Sequence, residues 1–524
     1  MGMSRFRQVP QAALAIAALA VAVRLLTFLT QAIIAREFGA SSLSDAYFAA
    51  ESVILLLTDL IVVGFTMAFI PAFAKQRAAR DEGEARKFAN SFGLFSIAVS
   101  LALAALVALA SPLLAWAIAP GFHGRTRELT VQLLRVMSLS IASLGLTADL
   151  TGLLRSDRQF IVPELAQVGY GAALLGAALF LTDELGVMAL AWGTVLASFV
   201  RLALQLPSAA RRGLARPSGG LDWAAAWRAA KLLPPLLIAH SGLRIALILD
   251  WTAASGLPEG SVAALNLASR VALLPVGILA IPLRRAMLPA LSQQAAEGQL
   301  QRMGETVVSA LRMLLFAAVP ICAGLTALGA PLIRLLFERG AFAPSATLAT
   351  SQALACYALG IPAIAGTFLL NGAYFALGDP LTPVKVNALS WAANLALNLI
   401  LSPHLGINSI ALATAASSTA TFMALLYILR KKLGALDLGP LFGSLAKTVP
   451  TAAFMGAFLL GLPRLLSAVS IPPEFDPQAL GVGAAILGGG LAYLAGAMAF
   501  KMEELITLAG ALAGFFKPRR TIRW

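Results

Sequence analysis

Apolar runs of about 20 residues or more, each long enough to cross a bilayer as a helix, alternate along this chain with short breaks rich in glycine, proline and arginine. They fall near 11–37, 45–74, 88–118, 128–153, 159–182, 185–207 and 229–254. A second series lies near 261–290, 305–328, 346–376, 383–402, 405–430, 441–465 and 479–502. The pattern predicts an all-α polytopic membrane protein of about fourteen transmembrane helices, which satisfy their backbone hydrogen bonds internally in lipid.

Basic residues mark alternate breaks. One set carries Arg5, Arg7, Lys75, Arg77, Arg80, Arg86, Lys87, Arg155, Arg158, Arg211, Arg212 and Arg216. It continues with Arg284, Arg285, Arg302, Arg430, Lys431, Lys432 and the tail residues Lys517, Arg519, Arg520 and Arg523. The other set carries only Arg36, Arg125, Arg127, Arg334, Arg339 and Arg464. An excess of Lys and Arg marks cytoplasmic loops, so both termini are expected in the cytoplasm.

The pattern also repeats. Gly39, Ser44 and Ala46 correspond to Gly256, Ser261 and Ala263, an offset of 217 residues; IPAF at 70–73 corresponds to LPAL at 288–291, an offset of 218. Pro112 corresponds to Pro331 at 219, and Gly152, Pro163, Thr194 and Ser198 to Gly372, Pro383, Thr414 and Ser418 at 220. So small a drift over about six helices marks an internal duplication. A repeat with an even number of helices re-enters the membrane in the same direction. The copies are then parallel repeats related by a pseudo-twofold axis along the membrane normal, with a substrate site expected between them. The predicted organisation is an N-lobe at 1–207 (helices one to six), a basic cytoplasmic linker at 208–228, and a C-lobe at 229–432 (helices seven to twelve). Two appended helices and a basic cytoplasmic tail occupy 433–524.

Composition agrees with this class. The 524 residues are 59% hydrophobic and 12% charged, about half the charge fraction of a soluble protein. The first apolar run is too long for a signal-peptide core and lacks a small-residue cleavage site. The net charge of +14 lies in the loops, where it serves topology beside anionic lipid, so no nucleic-acid partner is expected. Cys322 and Cys356 are both in apolar segments and read as unpaired core residues. No Walker A, G-x-S-x-G, Cys/His metal spacing or H-E-x-x-H appears, which argues against an enzyme or an ATP-driven pump.

Charges inside the apolar spans are the candidate chemistry, because each is costly in lipid without a partner, a wet cavity or a function. Arg24, Thr27 and Gln31 share a face of the first span, and Ser52, Asp59 and Thr66 recur every seven residues on the second. Arg244 and Asp250 lie in the seventh span, Asn266 and Arg270 four residues apart in the eighth. Symmetry suggests that these helices line a central cavity of basic character, fit for an anionic substrate that guanidinium groups hold bidentately. The competing reading pairs Arg24 with Asp59 and Arg244 with Asp250 as helix-register ion pairs. Asn394 and Asn398, facing Thr414, offer either hard oxygens for a small cation such as Na⁺ or interhelical hydrogen bonds. Asp149 and Glu164 fall near span ends, where solvation is expected, and His240 reads as a helix residue with ordinary partners.

The chain resembles the MurJ/MviN family of lipid II flippases, in the multidrug/oligosaccharidyl-lipid/polysaccharide exporter superfamily. The resembling stretches are AIIAREFGASSLSDAYFAA (32–50), AFIPAF (68–73), APGF (119–122), ASRVALLPVGILA (268–280), LPALS (288–292), LFERGAF (336–342) and ALGDPLTPVKV (376–386). The resemblance implies fourteen helices in two lobes around a cationic cavity, with the last two helices forming a groove for an undecaprenyl tail. It places Arg24 and Arg270 at cavity arginines and Asp45 at the acid opening the second helix. Thr30, Gln31 and Thr58 stand where the family carries charge, and Arg244 where it commonly carries Gln. Some members bind sodium, and Asp250, Asn394 and Thr414 match their ligands, with Asn398 replacing a second acid.

The expected function is therefore translocation of an undecaprenyl-pyrophosphate-linked cell-wall precursor, lipid II, across the bacterial inner membrane by alternating access. Arg24, Arg244, Arg270, Gln31, Asp59 and Asn266 would contact the anionic polyprenyl-pyrophosphate lipid. Asp250, Asn394, Asn398 and Thr414 form a candidate sodium site, Na⁺ being the candidate coupling ion and no other cofactor being expected. A monomer among membrane lipids is expected. One alternative is a flippase for O-antigen or exopolysaccharide intermediates, distinguishable by the identity of the co-bound lipid. A cation-coupled drug exporter would need an acidic cavity, against which the three arginines stand. A non-transporting lipid-binding scaffold would bind without turnover.

Overall fold

The computed structural model describes residues 3–78, 82–211, 220–231, 233, 242–434, 436–466 and 477–507. Among them, thirteen helices are long and apolar enough to cross a membrane. They correspond one for one to the predicted spans except 229–254. That span is represented by the shorter helix Gly242–Ala254, and part of it lies outside the described residues.

The chain forms two compact units: Met1–Ala263 with Arg339–Ala346, and Ala264–Glu338 with Thr347–Trp524. The repeat boundaries at 207 and 229 concern sequence symmetry, which compactness does not address. In the first unit, Met188–Ala210 and Met3–Phe38 both pack on Ile161–Phe180, and Gly64–Ala78 packs on Leu144–Ser156. Lipid offers no hydrophobic drive for helices to associate, so small residues that allow close approach decide the contacts. A Cβ at Gly193 would lie 2.6 Å from the Ala177 Cβ, and one at Gly145 would lie 2.2 Å from the Ser96 carbonyl oxygen. Tilted and edge-on rings of Phe65, Phe69, Phe88 and Phe92 fill the space between Gly64–Ala78 and Glu82–Leu109.

The second span departs from regular geometry. A π-helical segment, Asp59–Val63, separates Ser42–Thr58 from Gly64–Ala78. The wider turn breaks the seven-residue periodicity expected for Ser52, Asp59 and Thr66, and Thr66 turns to donate to the Ala148 carbonyl at 3.1 Å.

In the second unit, the appended helices Gly439–Leu466 and Pro477–Ala499 pack on the long helix Leu300–Phe337. Their shared core includes Phe316, Leu328, Met455, Leu459 and Tyr493. Glycines again set the approach, since a Cβ at Gly496 would lie 2.5 Å from Thr451 Cγ2. The Tyr493 hydroxyl donates to the Phe316 carbonyl at 2.8 Å. Arg312, a charge inside the ninth predicted span, is held by Glu503 and Glu504 at 2.9 and 2.8 Å.

Candidate functional site

Three of the family-like motifs, remote in sequence, meet within the first unit. The first helix ends at Gly39, whose φ of +61° suits glycine; a Cβ there would lie 2.3 Å from the Ala341 carbonyl oxygen. Ser44 Oγ donates to the Gly39 carbonyl at 2.8 Å and accepts from the Ser41 N–H at 3.0 Å, which fixes the start of Ser42–Thr58. Beside it Asp45, only 3% exposed, accepts from the backbone N–H groups of Gly260 at 2.6 Å and Ala263 at 2.7 Å. These donors lie at the start of Ser261–Ala296, where unpaired N–H groups and the helix dipole favour an anion.

The motif segment 339–342 reaches the same turn. The Ala341 N–H donates to the Arg36 carbonyl at 2.7 Å, and Gly340, at φ +60°, leaves 2.4 Å between that oxygen and any Cβ. Gly121 of APGF donates to Ser255 Oγ at 3.1 Å. Backbone-to-backbone closure of this kind tolerates no larger residue at Gly39, Gly260 or Gly340.

The other predicted residues of this unit are dispersed along their helices. Arg24 is exposed, whereas Gln31 is buried and its Oε1 has no hydrogen-bond partner. Thr30 and Thr58 each cap the carbonyl four residues back in their own helix, at 2.8 and 2.7 Å. Asp59 lies within electrostatic reach of Arg201, a charge inside the sixth predicted span that sequence reasoning passed over although its burial cost was visible. Arg201 lines a cavity of about 240 Å³ with Arg155, Glu164 and Gln167. Glu164, expected in solvent, pairs with Arg155 at 3.3 Å. Asp149, also expected in solvent, is buried at 6% exposure. Asp250 is fully buried in a helix packed on Ser42–Thr58 and Ser111–Ile118. The Arg244 side chain and all of His240 lie outside the described residues.

In the second unit Arg270 Nε donates to Asn266 Oδ1 at 2.6 Å. Asn266 is fully buried, and its Nδ2 has no hydrogen-bond partner. The asparagine thus orients the guanidinium and keeps a donor in reserve. Pro275, Pro282 and Pro289 interrupt this helix, each removing a backbone donor. The second predicted cluster also forms. Asn394 Nδ2 donates to Thr414 Oγ1 at 2.9 Å, and Asn398 Nδ2 to Asn394 Oδ1 at 3.0 Å. With Pro383 they are the buried positions of Leu381–Leu405, so this helix meets its neighbour through polar groups. Outside the spans, Asp379 of ALGDPLTPVKV is paired with Lys432 and hydrogen-bonded by Thr382. Those contacts, Lys432 first, hold its carboxyl down at about 2.

A family model described as Lipid II flippase MurJ matches residues 34–473. The chain belongs to the MurJ family. A probable lipid II flippase MurJ of Rhizobium tropici is 31% identical over 407 residues, 75% of each chain. The lipid II flippase MurJ of Burkholderia cenocepacia is 27% identical over 413 residues, 77% of this chain and 80% of that one. A solved lipid II flippase MurJ in an inward closed conformation superposes with a TM-score of 0.78 at 23% identity, over 93% of this chain and 99% of that one. An inward-facing multidrug resistance MATE transporter of the MOP superfamily superposes at 0.68 with 15% identity, over 79% and 95%. These two likenesses show the fold alone. As a MurJ family member the chain is a multi-pass transporter of the bacterial inner membrane with a lipid-linked substrate, and not an enzyme. The O-antigen and drug-export alternatives are not favoured by the family match and the relatives named lipid II flippases.

Proposed function

We propose that this protein translocates lipid II across the bacterial inner membrane by alternating access. The observation that carries the reading is the MurJ family match over residues 34–473. The motif residues Gly39, Asp45 and Ala341, which form one closure with Gly260, agree with it. In this reading Arg270, oriented by Asn266, binds the substrate pyrophosphate, since a guanidinium can present two parallel N–H donors to phosphate oxygens. Arg24 supplies a second cation, with Gln31 and Asp59 as hydrogen-bonding neighbours of the lipid headgroup. Arg244 offsets the charges that Thr30, Gln31 and Thr58 do not carry.

The Lys/Arg asymmetry supports cytoplasmic termini. Na⁺ is the proposed coupling ion, acting through Asp250 and the neutral oxygens of Asn394, Asn398 and Thr414, a set matched to a hard cation. The protein works as a monomer in this reading. Depletion in the native host tests it: lipid II should accumulate in the inner leaflet and cells should lyse. Normal growth with unchanged outer-leaflet lipid II would sink the proposal. Complementation with Arg270→Ala should fail while the variant is inserted and folded.

A further inference from the structure

Asp149, on the helix Leu144–Ser156, has no part in the transport scheme. Its Oδ1 accepts from Ser96 Oγ at 3.1 Å, while its Oδ2 is buried without a hydrogen-bond partner. Asp149 lines a cavity of about 560 Å³ together with Asn90, Gly93, Leu94, Ile97, Leu150 and Leu221. A Cβ at Gly93 would meet Oδ2 at 3.8 Å, so the oxygen lies just behind the bare backbone of Gly93 in the cavity wall. A carboxylate in so apolar a wall is costly unless a cation or hydrogen-bond donors complete it. The volume falls within the range of about 300–1,000 Å³ typical of small-molecule pockets.

The cavity's surroundings narrow the ligand. Leu221 lies two residues before the short helix Trp223–Ala230, which is capped by Asp222 accepting from the Ala225 N–H at 2.9 Å. Ala225, Ala226, Ala229 and Ala230 are buried while Trp223 and Trp227 are exposed, the arrangement of an amphipathic helix at the membrane–water interface. A crevice at that level meets amphiphiles. Among the described residues that line it, Asp149 is the one charged group, and the others except Asn90 are apolar or glycine.

We infer that this crevice binds the ammonium group of an amphiphilic primary amine. The ammonium N–H groups complete Asp149 Oδ2, and the adjoining alkyl chain lies against Leu94, Ile97 and Leu150. An aminophospholipid headgroup and a soluble long-chain amine both present this chemistry.

The test uses the full-length protein in phosphatidylglycerol nanodiscs, titrated with dodecylamine or dodecanol at neutral pH and read by native mass spectrometry. The charged amine should bind at least tenfold more tightly than the alcohol. Asp149→Asn, which keeps the shape and the Ser96 contact, should abolish that preference. Gly93→Leu, which fills the crevice and leaves the carboxylate in place, should abolish it too. Equal binding of amine and alcohol to the wild type, or an unchanged preference in either folded variant, overturns the inference. Should Asp149→Asn not fold, Gly93→Leu decides alone. Repeating the titration in phosphatidylethanolamine nanodiscs identifies the source: loss of dodecylamine binding points to the lipid headgroup, persistence to a soluble amine. Lipid II transport does not enter the readout, so this outcome and that of the depletion experiment are independent.

Discussion

Two aspartates of the first unit, Asp45 and Asp149, are almost equally hidden, at 3% and 6% exposure, yet they are held in opposite ways. Asp45 divides its two oxygens between two backbone N–H groups at a helix start. Asp149 has one hydroxyl donor and one buried oxygen without a hydrogen-bond partner, beside a cavity. Burial alone therefore does not say what a charge in a membrane protein does. What matters is whether the fold itself supplies the donors. Where it does, the acid joins segments far apart in sequence; where it does not, the acid remains available to a ligand.

The sharpest way to break this comparison is Asp45→Ala. It leaves two buried N–H groups without acceptors, at about 1–3 kcal/mol each, and should lower thermal stability by several degrees. An unchanged unfolding temperature would mean that the closure is not held by this acid. Next in size is the pair Gly260→Ala and Gly93→Ala. At Gly260 φ is +87° and a Cβ would lie 2.4 Å from the Ala40 carbonyl oxygen, so a loss of more than about 1 kcal/mol is expected. At Gly93 the same methyl makes ordinary contact, so the change should stay within about 0.5 kcal/mol. Equal effects in denaturation assays would remove the distinction between the two sites.

Asp379 provides a half-buried reference for both. Its carboxyl is held at about 2, below the ordinary value of 3.8, chiefly by Lys432. A lowered folded-state value stabilises the protein above the unfolded value and is lost as pH falls through the folded one. The contribution is complete above roughly pH 4, disappears toward pH 2, and is worth under about 1 kcal/mol for so accessible a pair. The difference in unfolding temperature between wild type and Asp379→Asn, followed through that window, should shrink toward zero at the acid end. Smallest of all is Asp149→Asn without amine, expected within about 0.5 kcal/mol, because the amide keeps the Ser96 contact and removes no backbone partner. A large loss in thermal unfolding would show that Asp149 carries structural weight after all.

The spans were readable because lipid imposes one strong rule, an apolar run of sufficient length. The pairs Asn266–Arg270 and Asn394–Asn398 were readable for a similar local reason: four residues apart on a helix is always one face. Asp149 was misread because its place near the end of an apolar run says nothing about the neighbour that covers it. Glycine at 145 lets Glu82–Leu109 come close enough for Ser96 to reach the carboxylate. Thr66 was misplaced because a π-helical segment has no periodic signature in the residues that form it.

By itself, the sequence determined the membrane class, the positions of the spans and the family, all of which rest on local hydrophobicity or on motifs read in order. Tertiary structure alone decided the partners. That Asp45 would cap a helix more than two hundred residues away, that 339–346 would pack with the first unit, and that Arg312 would clamp the chain after the last span depend on which backbones come close. Glycines permit such approaches at many positions, and only the packed fold selects which of them are used.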